Sequence, residues 1–161
     1  MKFSVVTYYT FLFCLLLASC TTSEECREDT AVNLKIGFYE RTLNETTGLY
    51  SNSVLSIDSI WVNGLENDSF LYENSKSVSS ILLPLKNSST QSDFVIQFND
   101  KIDTLVIYHE NNDQYFLSLE CGCIVAHTIQ EAVSTNHFID SISINYPEVN
   151  NIDAVHLQIF N

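Results

Sequence analysis

Apolar and polar residues alternate with a period of two in short segments, and this pattern restricts the folds open to the chain. Apolar residues occupy every second position from Val32 to Phe38 and from Phe94 to Phe98, as in strands that bury one face. After residue 19, no apolar stripe keeps helical spacing for three turns. About nine short strands with polar turns between them predict a two-sheet sandwich or a small barrel. We expect an all-β fold, a single antiparallel β-sandwich that is immunoglobulin-like or related.

Two other segments carry specific structural expectations. Residues 42–53 are rich in Thr, Asn, Ser and Gly, and this composition predicts a loop. Residues 115–125 alternate as one unbroken strand, which would turn Cys121 and Cys123 toward the core.

The first twenty residues resemble a bacterial lipoprotein signal peptide. Lys2 supplies a positive n-region, residues 11–18 supply an apolar h-region, and Leu17-Ala18-Ser19-Cys20 resembles a lipobox. The apolar run is shorter than the roughly 20 residues of a spanning helix. An ordinary secretory peptide would tolerate any residue after the cut, so the cysteine favours lipidation. By this resemblance, residues 1–19 form the signal peptide and Cys20 becomes the lipidated first residue.

The segment that follows Cys20 is polar and acidic. Residues 20–30 would form a lipidated tether, and residues 31–161 would form the sandwich domain. Ser23-Glu24-Glu25 resembles the export signal that sends some Bacteroidota lipoproteins to the outer face of the outer membrane, but a plain solvated tether has the same composition. We expect a protein anchored in the outer membrane through the Cys20 lipid, on its periplasmic or its exposed face.

The charge and the missing motifs exclude several function classes. The sequence contains seven basic and twenty acidic residues, and its formal net charge is −13. Such a chain repels nucleic acid and anionic lipid headgroups. The sequence lacks a Gly-x-Ser-x-Gly elbow, a His-Glu-x-x-His helix and a phosphate-binding glycine loop. We expect a non-enzymatic binding or structural module without a cofactor, whose partner is an envelope protein or glycan. An enzyme with a site built on loops is a remote alternative.

The main alternative is a periplasmic protein that binds a soft metal. Cys121, Cys123 and His127 would share one strand face if the predicted strand continued that far, and thiolate and imidazole ligands suit such metals. A disulfide to Cys26 would consume one of these ligands. The other three histidines are expected at the surface or at strand edges: His109, His137 and His156.

Several short motifs together resemble a family of Bacteroidota outer-membrane lipoproteins of uncharacterised function. They are Cys26 before the first strand, residues 58–64, Leu83-Pro84-Leu85, Phe94, residues 103–108, Ser118 with Cys121-Gly122, and His156 before Ile159-Phe160. The resemblance implies a compact β-sandwich on a lipid tether and assigns no catalytic residue. The additional Cys123 departs from the family pattern.

Three cysteines follow Cys20, and in an oxidising compartment they allow one disulfide and one leftover thiol. The family resemblance implies that Cys26 pairs with Cys121. Burial in the predicted strand also favours Cys121, since it would share a face with two leucines. Cys123 would lie on the same face and competes as the partner.

Four Asp-Ser/Thr-apolar triplets resemble the acceptor of the O-glycosylation system that Bacteroidota apply to exported proteins. The acceptors would be Thr30, Ser59, Thr104 and Ser141. Thr30 is the safest candidate because it precedes the first strand. The other three belong to a recurring Ile-Asp-Ser/Thr-Ile/Leu motif, which also fits a turn at the entry to a buried strand.

Overall fold

A computed structural model describes residues 26–27, 29–65 and 69–161, and this part of the chain is all-β. The strands are β1 (Leu34–Asn44), β2 (Leu49–Val54), β3 (Ile57–Gly64), β4 (Phe70–Val78), β5 (Ser80–Leu83), β6 (Gln91–Phe98), β7 (Lys101–Ser118), β8 (Gly122–Ser134), β9 (Ser141–Ile144), β10 (Glu148–Val149) and β11 (Leu157–Phe160). Within the described ranges, no helix has the length and apolar character that crossing a membrane requires.

The strands form two sheets. The five-stranded sheet has the order β2-β1-β11-β9, and β5 pairs with the first residues of β1. The six-stranded sheet has the order β10-β8-β7-β6-β3-β4. Strands β1 and β11 are parallel, whereas the other pairs in the described part of the chain are antiparallel. The predicted β-sandwich is therefore confirmed, with one parallel pair that joins the first and last strands.

The core lies between the two sheets and follows the alternation of the sequence. In β1, Leu34, Ile36 and Phe38 are almost completely buried, and in β6 every second residue from Ser92 to Phe98 is buried. Phe38 meets Phe98 of the other sheet edge to face, with ring centroids 5.6 Å apart. Each fully buried aliphatic or aromatic side chain contributes about 1.5–3 kcal/mol, so these inward faces hold the sheets together.

The expectation of a loop at residues 42–53 is wrong. These residues form most of the β1–β2 hairpin, whose turn contains Gly48 at a φ of +68°. Asn44 Oδ1 accepts hydrogen bonds from the backbone N–H groups of Thr46 and Thr47 at 3.0 Å. All residues of β2 are exposed, and a strand without a buried face carries no apolar alternation by which its sequence could be recognised.

The expectation of one unbroken strand over residues 115–125 is also wrong. Strand β7 ends at Ser118, and the chain reverses before β8 begins at Gly122, which has a φ of +72°. Ser118 Oγ accepts a hydrogen bond of 3.1 Å from the Cys121 N–H and closes the turn. Leu119 therefore lies at the tip of the hairpin, 90% exposed, rather than in the core.

Candidate functional site

The predicted disulfide between Cys26 and Cys121 is confirmed. The bridge joins residues 95 positions apart, with a Cα–Cα distance of 4.7 Å. It connects the start of the described chain to the turn between β7 and β8. Cys20, the predicted lipidation site, lies outside the described residues.

The alternative metal site is not assembled. Cys121 is consumed by the disulfide, Cys123 is an exposed free thiol, and His127 is buried farther along β8. The Nδ1 atom of His127 lies 2.8 Å from Asn111 Oδ1, to which it can donate a hydrogen bond. Among the residues that the structure describes, no three His, Cys, Asp or Glu side chains are grouped so as to hold a metal ion.

The four candidate glycosylation residues lie in different environments and are not brought together. Thr30 and Ser141 are exposed. Ser59 is partly buried, and its Oγ donates to Asn74 Oδ1 at 2.8 Å. Thr104 is partly buried in β7, where it pairs with Val95 of β6. Access therefore favours Thr30 and Ser141.

Asp103 shows that one of the recurring motifs has a structural purpose. Its carboxylate is fully buried and accepts hydrogen bonds from Thr135 Oγ1 at 2.8 Å and from the backbone N–H groups of His137 at 2.7 Å, Phe138 at 2.7 Å and Ile139 at 3.0 Å. Burial raises the pKa of Asp103, but the hydrogen bonds outweigh burial and lower the pKa to about 2. The ionised carboxylate fixes the segment that leads into β9.

The expected surface location is wrong for two of the three histidines. His109 and His156 are each 1% exposed. His137 does lie at the surface, with 65% of its side chain exposed, and its Nδ1 atom is 3.2 Å from Asp103 Oδ1. This burial has no local sequence signal, because the groups that hydrogen-bond the buried rings come from other parts of the chain.

His109 belongs to a buried polar network with Ser92, Asn111 and His127. Ser92 Oγ lies 2.9 Å from His109 Nε2, and Asn111 Oδ1 lies 2.8 Å from Nδ1 of each histidine. Burial lowers the pKa of His109. Burial, together with electrostatic repulsion by His109, lowers the pKa of His127 to about 4. Both rings are therefore neutral at pH 7.

In this network Ser92 has the position of a nucleophile, His109 that of a base and Asn111 that of an orienting group. The surroundings of these residues favour a structural role instead. Ser92 is only 1% exposed, and its Oγ also accepts a hydrogen bond from the Lys86 N–H at 2.9 Å. Asn111 carries no charge that could stabilise a protonated His109. The amide of Asn111 donates to the carbonyls of Asn87 and Ser89 at 2.8 and 2.9 Å. The network thus fastens the loop between β5 and β6 to β7.

A second buried histidine, His156, lines a polar cavity of 310 Å³. The cavity is formed by Asp29, Ala31, Asn33, Lys35, Leu82, residues 150–154 and His156. Lys35 Nζ and Asp153 Oδ1 are 2.6 Å apart and form an ion pair within this lining.

The proton of His156 is placed by its hydrogen bonding. Nδ1 accepts a hydrogen bond of 2.9 Å from the Lys35 backbone N–H, and burial lowers the pKa of His156. The neutral ring must then carry its proton on Nε2. That buried Nε2–H has no hydrogen-bond partner in the described part of the chain.

The polar cavity presents donors and acceptors without a strong excess charge. His156, three asparagines, Asp29 and the Lys35–Asp153 ion pair line it. Its volume is at the lower end of the range of about 300–1,000 Å³ that is typical of small-molecule sites. Such a cavity suits a small hydroxyl-rich ligand, because each hydroxyl group can both donate and accept hydrogen bonds.

Comparison with known proteins identifies one family. A family described as of unknown function, DUF6452, matches residues 59–161, a range that begins within β3 and includes Cys121 and His156. Cys26 and Lys35 precede the matched range. No curated protein and no solved structure matches the chain.

Proposed function

The chain belongs to DUF6452, a family of unknown function, and we propose that it is a lipid-anchored, non-enzymatic protein of the bacterial outer membrane that binds a neutral glycan in the polar cavity. The lipobox resemblance at residues 17–20 supports the anchor. The hydrogen-bonding groups of the polar cavity support the glycan.

The unpartnered Nε2–H of His156 is the observation that carries the proposed binding function. A buried donor that lacks an acceptor costs about 1–3 kcal/mol, and a ligand oxygen placed against Nε2 would remove that cost. The hydrogen bond from Lys35 to Nδ1 holds the ring in the tautomer that offers this donor. His156 therefore brings to the cavity wall a buried donor whose tautomer is fixed before any ligand binds.

The charges of the chain and the cavity favour a neutral ligand. A formal net charge of −13 repels acidic glycans, and Asp153 already pairs with Lys35, the basic residue of the lining. The uncharged hydroxyl groups of a neutral sugar can use the amides of Asn33, Asn150 and Asn151 without disturbing this ion pair.

Binding can be measured by titrating the Cys20→Ala protein with neutral and acidic oligosaccharides in a calorimeter. We expect a neutral oligosaccharide to bind and Asn151→Ala to weaken its affinity about tenfold, since it removes polar contacts worth roughly 1.4 kcal/mol. Asn52→Ala, on the exposed strand β2, is the matched control and should bind as the parent does. Equal affinities of the two variants, or no neutral ligand at all, would contradict the proposed site.

The anchor has an independent test. The parent protein should fractionate with membranes, and Cys20→Ala should be released because it lacks the lipid-bearing thiol. A Cys20→Ala protein that stays with the membrane fraction at unchanged electrophoretic mobility would refute lipidation at this position.

We also propose O-glycosylation at Thr30 or Ser141, the two exposed candidate acceptors. The intact mass of the mature protein should then exceed the sum of polypeptide and lipid, and a Thr30→Ala, Ser141→Ala double variant should lose the excess. A parent mass that equals polypeptide plus lipid would end this proposal.

A further inference from the structure

The disulfide ties the turn between β7 and β8 to the beginning of the domain. Cys121 of that turn is bonded to Cys26, and Cys26 lies six residues after Cys20. Six residues span at most about 20 Å when fully extended. The turn is therefore confined to the neighbourhood of Cys20, and this is the closest attachment that the described fold has to that residue.

The same turn exposes large apolar side chains. Leu119 at its tip is 90% exposed, and Phe116 beside it in β7 is 59% exposed. Residues 114–130 contain one side chain that is charged at pH 7, Glu120, although the whole chain has twenty acidic and seven basic residues. The hairpin end itself is thus apolar and carries one charge, whereas the segment around Cys26 to which it is bonded is acidic.

We propose that Leu119 and Phe116 insert into the interfacial region of the bilayer that holds the Cys20 lipid. This inference rests on the proposed lipidation of Cys20. Exposed leucine and phenylalanine side chains gain by leaving water at the boundary between headgroups and acyl chains, and the lipid makes the contact intramolecular by holding the tip at the surface. The bilayer is the proposed occupant because the short connection to Cys20 places this surface within reach.

The insertion would fix the orientation of the sandwich. Strand β7 contains 18 residues and is therefore about 60 Å long at roughly 3.3 Å per residue. The turn between β6 and β7, which contains Asp100, lies at its other end. The β7–β8 tip would face the lipid, while Asp100 would face away from it.

Cys123 provides a native probe of this contact. It is an exposed free thiol in β8, and it pairs across the hairpin with Phe116. A membrane-impermeant maleimide should therefore modify Cys123 more slowly when the tip is covered by lipid.

The experiment compares the lipidated protein in neutral phosphatidylcholine vesicles with the Cys20→Ala protein in solution. We expect modification of Cys123 to be at least about fivefold slower on vesicles, because the reagent is excluded from the apolar interface. Leu119→Ser, at an exposed turn position, should restore most of the rate in the lipidated protein. The matched control is Asp100→Cys in a Cys123→Ser background, whose thiol should react equally fast on vesicles and in solution.

Other outcomes would overturn either the insertion alone or the anchor as well. Equal rates at Cys123 on vesicles and in solution, or equal slowing at position 100, would overturn the insertion while leaving the anchor intact. Slowing that disappears at about one protein per vesicle would show that a second copy covers the tip, and would also overturn the insertion. Failure of the parent protein to float with vesicles would overturn the anchor, and with it the inference.

Discussion

Replacement of Asp103 by asparagine should strongly destabilise the fold. The carboxylate oxygens each accept two short hydrogen bonds, and Oδ2 accepts those from the N–H groups of Phe138 and Ile139. An asparagine can present only one oxygen. Its NH₂ group would face the N–H groups of Phe138 and Ile139 in one orientation, and the His137 N–H with the Thr135 hydroxyl, which can rotate to accept, in the other. In the less costly orientation one N–H donor is orphaned at about 1–3 kcal/mol, and the remaining bonds lose their ionised acceptor, so we expect a loss of about 2–4 kcal/mol at pH 7.

The pKa of Asp103 reflects the same hydrogen bonds, partly offset by burial. Its decrease from 3.8 to about 2 is worth roughly 2 kcal/mol of stability, since each pH unit between the two pKa values contributes about 1.36 kcal/mol. Because the pKa is lower in the folded state, this stability is present above pH 3.8 and is lost as the pH falls toward 2. Asp103→Asn should lack this contribution to the pH dependence.

Urea unfolding at pH 7, and at intervals from pH 5 to pH 2, measures both effects. The matched control is Asp58→Asn, since Asp58 occupies the same place in an Ile-Asp-Ser-Ile copy of the motif but is exposed. We expect the control to stay within about 0.5 kcal/mol of the parent. A loss of less than about 1 kcal/mol in Asp103→Asn at pH 7 would refute the assigned hydrogen-bond pattern.

Two further predictions concern the disulfide and the buried histidines. The Cys26→Ala, Cys121→Ala double variant should lose about 4–5 kcal/mol by the chain-entropy argument for a 95-residue loop, and an unchanged urea midpoint would contradict it. The pKa of His127 is lowered from 6.5 in the unfolded chain to about 4 in the folded state, so the unfolded chain takes up the proton first as the pH falls. The free energy of unfolding should therefore decrease by about 3 kcal/mol between pH 6.5 and pH 4. Unfolding across this pH range should show a smaller decrease for His127→Gln than for the exposed His137→Gln, and equal pH profiles would exclude the assignment. Part of the decrease remains in both variants, because the pKa values of His109 and His156 are also lowered.

Strands with one buried face were predictable because the signal is local. In β1 and β6, adjacent side chains point to opposite sides of the sheet, so the core alternates with solvent within a single segment. The hairpin at residues 42–53 has no such signal, since β2 is exposed on both faces. Its formation depends on backbone pairing with β1, which sequence periodicity does not report.

The reversal after Ser118 was missed for a different reason. Leu117, Leu119 and Cys121 continue the alternation of β7 through the turn, so the pattern reads as one strand although the chain has reversed. Gly122 was the available sign, because its positive φ suits glycine at the start of β8. The same error placed Cys123 in the core, whereas the disulfide pairing itself did not depend on strand direction and was correct.

The buried histidines depend on contacts between residues far apart in the chain. His109 and His127 are tolerated in the core because one asparagine accepts from both rings and donates to the carbonyls of a distant loop. Local composition cannot distinguish such a satisfied histidine from an exposed one. The polar cavity was missed for the same reason, as its lining comes from three separate segments.

The folding unit extends beyond the range that matches the family. That range begins at Ser59, yet β1 precedes it and pairs with β2, β5 and β11 in the five-stranded sheet. Without β1, the core would lose the buried side chains of Leu34, Ile36 and Phe38. His156 Nδ1 would also lose the hydrogen bond that it accepts from the Lys35 N–H. The tautomer that carries the proton on Nε2 would then no longer be fixed. The matched residues therefore supply the histidine of the candidate site, while the preceding strand determines what that histidine can bind.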